Sequence, residues 1–280
     1  MNLDVLKLKK SIYRLFLGLM LFVLAVDIFS IYGLSSIYLF QTAGLVFILL
    51  ATLELKNVSK FFKISLILTI VGFVLVIGSA TVSIIFPVTD VNALLNNNAV
   101  DMIEQESYTN AYFLMGVNAV NSIFSFLLLF ISIRGISDYC YNYVPSMYQD
   151  STKRVVRYPI FGGLYYLLTI LQSVILIPQF NAYNQLVAAG GFKYDAETQI
   201  FEYGEEAYMT YATTTLKWSG VSIAYALFLL VYLVSMILTL SFISKVSREN
   251  PSKVQHSPIE DEFPTEAKNL MKDDWSEEFK

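Results

Sequence analysis

Cysteine, histidine and charge are all scarce in this chain of 280 residues, and each shortage excludes something. With Cys140 as the only cysteine, no disulfide can form within the chain, so stability has to come from packing. With His256 as the only histidine, set in a polar segment, neither a Ser-His nor a Cys-His pair can be assembled inside an apolar region. An aspartyl mechanism needs two carboxylates in one site, and the apolar runs hold only Asp27 deep inside, with Glu54 at an end. Ligands for a metal site are too few, Gly190-Gly191 reads as a turn rather than a phosphate cradle, and no metal or cofactor is expected. These shortages argue against an enzyme. Charged residues make up 15% of the chain, against about 25% in an average soluble domain.

What fills the space is apolar: 55% of residues, gathered in long runs. The first, Leu15 to Leu34, has twenty residues, which at ~1.5 Å rise spans the ~30 Å hydrocarbon core of a bilayer. It exceeds a typical signal-peptide core and shows no small-x-small cleavage pattern, so it reads as a retained span. Further runs cover 37–53, 64–86, 111–133, 158–180 and 216–243, with Pro87 ending the third and Arg134-Gly135 the fourth. The expected fold is all-α: a polytopic six-helix transmembrane bundle over residues 1–246, followed by a tail from 247 to 280.

The basic residues set the sidedness. Placing the N-terminal segment, the loops 54–63 and 134–157 and the tail on one side leaves only Lys193 and Lys217, of 19 Lys and Arg, on the other. The positive-inside bias then predicts both termini in the cytoplasm, and the paucity of cysteine fits a bacterial inner membrane. The two long outer loops, 87–110 and 181–215, are polar and acidic. In the second, Phe192 to Asp195 and Ile200 to Tyr203 alternate around a turn and predict a small β-hairpin, while Glu205 to Thr214 can extend the sixth helix outward. The cluster Lys153, Arg154 and Arg157 reads as a topology signal that also attracts anionic lipid.

A lone carboxylate at the middle of a span costs about 2.5 to 3.5 kcal/mol on insertion scales, and no Lys or Arg lies deep in any run to neutralise Asp27. The fourth run carries Asn118, Asn121, Ser122 and Ser125 on one helical face. The fifth carries Tyr165, Thr169, Gln172 and Ser173, and the sixth Ser219, Ser222, Tyr225, Tyr232 and Thr239. With the sidedness above, Asp27, Gln41, Asn118, Asn121 and Gln172 share one layer in the outer half of the membrane. Together with Ser222 and Tyr225, they predict an outward-facing pocket for a small polar or cationic solute. The plainer alternative is that the amides bond neighbouring helices, and that Gly72, Ser79 and Ser83 allow close packing in the third span.

The tail changes character. Residues 250–264 are polar and contain proline, after which Thr265 offers an N-cap and Leu270, Met271, Trp275 and Phe279 fall on one stripe of a helix over 265–279. So short a helix is marginal alone and should dock, either on this protein's own inner surface or on a protein partner. Two functions follow as expectations: a non-enzymatic solute-binding or transport protein, or a membrane scaffold, sensor or accessory subunit acting through this helix and the outer loops. The lipid bilayer is the surrounding medium in both, and nucleic acid is not an expected partner.

Overall fold

The computed structural model describes residues 3–25, 37–85, 105–188, 192–195, 200–203 and 205–252. The helices are α1 (Leu3–Val23), α2 (Ile37–Leu55), α3 (Lys60–Ile85), α4 (Gln105–Tyr143), α5 (Tyr148–Val174), α6 (Leu176–Ala188) and α7 (Glu205–Arg248). Between α6 and α7, β1 (Phe192–Asp195) and β2 (Ile200–Tyr203) pair antiparallel, with Phe192 opposite Tyr203 and Asp195 opposite Ile200. Among the described residues, five stretches are long and apolar enough to cross a membrane: Tyr38–Leu55, Lys60–Val82, Tyr108–Tyr143, Pro145–Gln185 and Ala212–Arg248. The expected first span, 15–34, falls within the described residues only as far as Ala25.

The outward faces say what surrounds these helices. On α3, Ile67, Val74 and Ile77 are each more than 60% exposed, and on α7 so are Ile223 and Ile237. In water each such side chain would forgo about 1.5 to 3 kcal/mol of burial; in lipid it forgoes nothing. The protein is therefore a multi-pass membrane protein.

The helices form a ring in chain order. α1 packs on α2, α2 on α3, α3 on α4, α4 on α5 and α5 on α7, and α7 closes against α1, with α6 lying along α7. Side chains fill the middle, among them Leu15, Leu19 and Phe22 from α1, Leu45 and Ile48 from α2, Phe124 and Leu128 from α4 and Met236 from α7.

Three seams hold the ring, each with its own chemistry. Between α1 and α2 the backbones touch: a Cβ on Gly44 would lie 2.8 Å from the Phe22 nitrogen, and one on Gly18 would lie 2.8 Å from the Ile48 nitrogen. Only glycine permits that approach. Between α3 and α4 the buried residues Phe62, Ser65, Thr69, Gly72, Val76 and Ser79 recur at alternating steps of three and four, as in a coiled-coil stripe, with Ser59 buried just before the helix. Opposite them, Asp138 accepts from Ser59 at 2.6 Å, Ser132 shares a hydrogen bond with Ser65 at 2.9 Å, and Asn121 donates to Ser79 at 2.8 Å. Between α5 and α7 the contact is aromatic: Tyr165 stacks on Tyr232 at 4.4 Å, and the Tyr166 and Tyr232 hydroxyls meet at 3.1 Å. The Arg154 guanidinium, 4.7 Å from the Phe242 ring, extends that seam toward one end.

Two expected boundaries move. Arg134-Gly135 does not end the fourth helix, which runs on to Tyr143. Arginine is a good helix former, and Gly135 is used for closeness: a Cβ there would sit 2.7 Å from the Phe62 ring. The tyrosine-rich segment expected as a loop is thus helix up to Tyr143, and the chain turns at Val144 into a 3-10 turn, Pro145–Met147, opened by a proline whose missing N–H is not needed there. The basic cluster 153–157 likewise lies inside α5. The expected fifth span, 158–180, breaks at Ile175 instead. Pro178 explains this, because its ring clashes with the Val174 carbonyl and it cannot donate to it; the chain tightens, with Ile175 N donating to Gln172 O, before α6 begins. The expected sixth span lies in α7, which takes in Glu205 to Thr214 and so starts eleven residues before the apolar run.

Candidate functional site

The residues expected to form one polar layer are found in different surroundings. Gln41 is buried on α2. Asn121 lies against Ser79 in the α3–α4 seam, while Asn118, one turn earlier on α4, is exposed. Gln172, in the last turn of α5, and Ser222 on α7 are exposed as well. Tyr225 is half-buried, its ring 5.8 Å from Tyr165 and nearly parallel to it. Asp27 lies outside the described residues, as do Leu270, Met271, Trp275 and Phe279 of the tail. The polar face of α4 is therefore divided: Asn118 on the surface, Asn121 in a seam, Ser122 and Ser125 buried.

Grooves cut the surface of the described residues. The first, of about 490 Å³, runs between α3 and α4 and is walled by Val74, Val82, Phe113 and Val117, with Ser79 and Asn121 at its polar spot. Gly78 and Gly116 open it, since a Cβ on either would meet nothing within 4 Å. The second, of about 530 Å³, lies along the start of α5 and is lined by Tyr148, Gln149, Thr152, Lys153, Val156 and Arg157. The third, of about 410 Å³, follows the closure of the ring, between Phe16 and Met20 of α1 and Leu233, Met236 and Ile237 of α7. Of the expected layer, Asn121 lines the first groove.

A charged cluster joins α1 and α2. Arg14 donates to Glu54 at 2.9 Å, and the Ser11 hydroxyl lies within reach of both the other carboxylate oxygen of Glu54 and the Lys7 carbonyl, its one proton serving either. Both ionic partners are about one quarter exposed, so the pair is held in a half-dry setting where Coulomb attraction is stronger than in water. A carboxylate at the end of an apolar helix is thereby neutralised by a cation from the neighbouring one.

The same end of the bundle gathers further cross-links. Lys9 donates to Asn250 at 2.9 Å, and the backbone N–H of Ser252 donates to the Tyr143 carbonyl at 3.0 Å. Ser137 and Ser151 share a hydrogen bond at 3.1 Å across the α4–α5 turn. Cys140 is buried beneath them. Sequence reasoning noted Glu54 but did not pair it with Arg14; their positions at the same ends of consecutive apolar runs were the available signal. It grouped Tyr165, Tyr225 and Tyr232 with the polar residues of their spans and placed Tyr225 in the pocket; in the structure the rings of Tyr225 and Tyr232 both stack on Tyr165.

Fold and surface together define a polytopic helical membrane protein whose described helices pack through a buried apolar cluster and whose one end is charged and cross-braced. No protein-family model, curated protein or solved structure matches the chain.

Proposed function

We propose that this chain is a non-enzymatic membrane scaffold, sensor or accessory subunit that acts through its charged end and the residues beyond it. The observation that carries this reading is the packing of the described residues: Leu15, Leu19, Phe22, Ile48, Phe124 and Leu128, from three helices, are buried together in one apolar cluster. The inventory of one cysteine, buried, and one histidine supports the non-enzymatic part. Sidedness follows the basic residues. The α1 start, the α2–α3 turn, the α4–α5 turn and the α7 end carry nearly all of them, and the bonds from Lys9 to Asn250 and from Ser252 to Tyr143 bring three of these together. This is the cytoplasmic end, with both termini inside and the β1–β2 hairpin outside.

Thermal melting in detergent across a panel of small cations, amines and vitamins tests the reading, together with affinity purification from native membranes. The expected result is no rise in melting temperature, and loss of any stoichiometric partner when Trp275→Ala and Phe279→Ala are combined. A rise with one ligand class that disappears in Asp27→Asn would overturn it, because a ligand binding only the folded state stabilises by mass action. That outcome would favour the second reading, a pocket for a small polar or cationic solute. One observation supports that second reading: Asn121 and Ser79 put hydrogen-bonding groups in the apolar α3–α4 groove.

A further inference from the structure

The groove at the start of α5 is amphipathic in a particular way. Val156 is 61% exposed and Tyr148 40% exposed, and Lys153 and Arg157 stand beside them. Asp150 pairs with Lys153 at 3.3 Å, but both are more than half exposed, and such a pair holds weakly. Arg157 has no ion-pair partner among the described residues. The face therefore offers two apolar contacts and two cations over the nine steps from Tyr148 to Arg157, about 14 Å of helix.

The chain leaves the described region beside this face. Pro251 is buried, and Ser252 is bonded to the carbonyl of Tyr143, the last residue of α4, from which a single turn leads into α5. Beyond that point the sequence has eight acidic residues and four basic ones, so the whole net charge of −4 resides in residues 253–280. Within them, Leu270, Met271, Trp275 and Phe279 share one helical stripe flanked by Asp273, Asp274, Glu277 and Glu278. The segment 253–264 reaches at most about 40 Å, which is ample, and the tether keeps the stripe at an effective concentration of about millimolar.

We infer that residues 265–279 dock on the Tyr148–Arg157 face of α5, their apolar stripe against Tyr148 and Val156 and their carboxylates against Lys153 and Arg157. This rests on the reading of 265–279 as a docking helix and names its resting place. A partner that takes the stripe must first displace it from α5, which makes the contact autoinhibitory.

The test uses the full chain, one copy per phosphatidylcholine nanodisc, with Cys140→Ser and Val156→Cys, and follows modification of the new thiol by a water-soluble maleimide. At low salt, labelling is expected to be about tenfold slower than in a chain ending at Ser252, equivalent to about 1.4 kcal/mol of docking. Lys153→Glu with Arg157→Glu should restore the fast rate, and adding Asp273→Lys with Asp274→Lys should bring protection back. High salt should abolish it. Equal rates in the full and shortened chains overturn the inference, as does protection that appears in both chains only when phosphatidylserine is added to the nanodisc. Neither result bears on the partner-loss experiment above, which does not involve Val156, so the two ideas fail separately.

Discussion

Glu54 illustrates how much a single residue depends on its neighbours. Its carboxylate takes bonds from Arg14 and Ser11 on α1, so removing the carboxylate leaves a half-buried guanidinium without its counter-charge. Glu54→Ala is expected to destabilise the folded protein by about 1 to 3 kcal/mol, read as a lower melting temperature in detergent, with Arg14→Ala adding little on top of it because the two changes remove the same pair. Cys140 makes the opposite point, since nothing about its neighbours exposes it. Fully buried, it should react with a maleimide on the order of 100-fold more slowly in the folded protein than after denaturation, because only local opening delivers the thiol to solvent. At this scale the sequence was legible where a side chain has one outlet. Asn121 was expected to line a pocket, with interhelical bonding as the plainer alternative, and it is found bonding Ser79. Gln172 and Asn118 were not legible, because helical spacing says which residues share a face and not what that face meets; both are exposed.

At the scale of the element, the seams make contrasting predictions for the same substitution. Gly44→Ala would set a methyl group against the Phe22 backbone, which cannot turn aside, and should cost about 1 to 3 kcal/mol as α1 and α2 are forced apart. Gly78→Ala meets open space and should gain up to about 1 kcal/mol from helix propensity. Paired thermal melts of the two variants decide the matter, and similar shifts in both would show that the α1–α2 contact is looser than described. Helix existence was well encoded, because runs of about twenty apolar residues have few alternatives in lipid. Helix ends were not. Hydropathy marks where a helix leaves the apolar zone, yet α4 continues past Arg134 because Ile136, Tyr139 and Cys140 find burial beyond it. The break at Ile175 was readable from Pro178, four residues after Val174, had backbone bonding been weighed against hydropathy.

For the whole molecule, the arrangement of basic residues predicts a sidedness that labelling can check. In a Cys140→Ser background, Gln149→Cys should be modified by an impermeant reagent only after the membrane is opened, and Lys193→Cys in intact cells; the reverse pattern would invert the topology. The ring itself was not legible, since hydropathy carries no information on which helix meets which. Its closure has a consequence for synthesis. Because α1 is made first and its neighbour α7 last, every unfinished chain is an open crescent with α1 on a bare edge. The groove at that junction, bordered by the pliant side chains of Met20 and Met236, lies at a joint that cannot close until α7 has been made. A ribosome stalled before residue 205 would thus hold a protein most of whose seams are made, and whose lipid-facing edge stays unfinished until the final helix arrives.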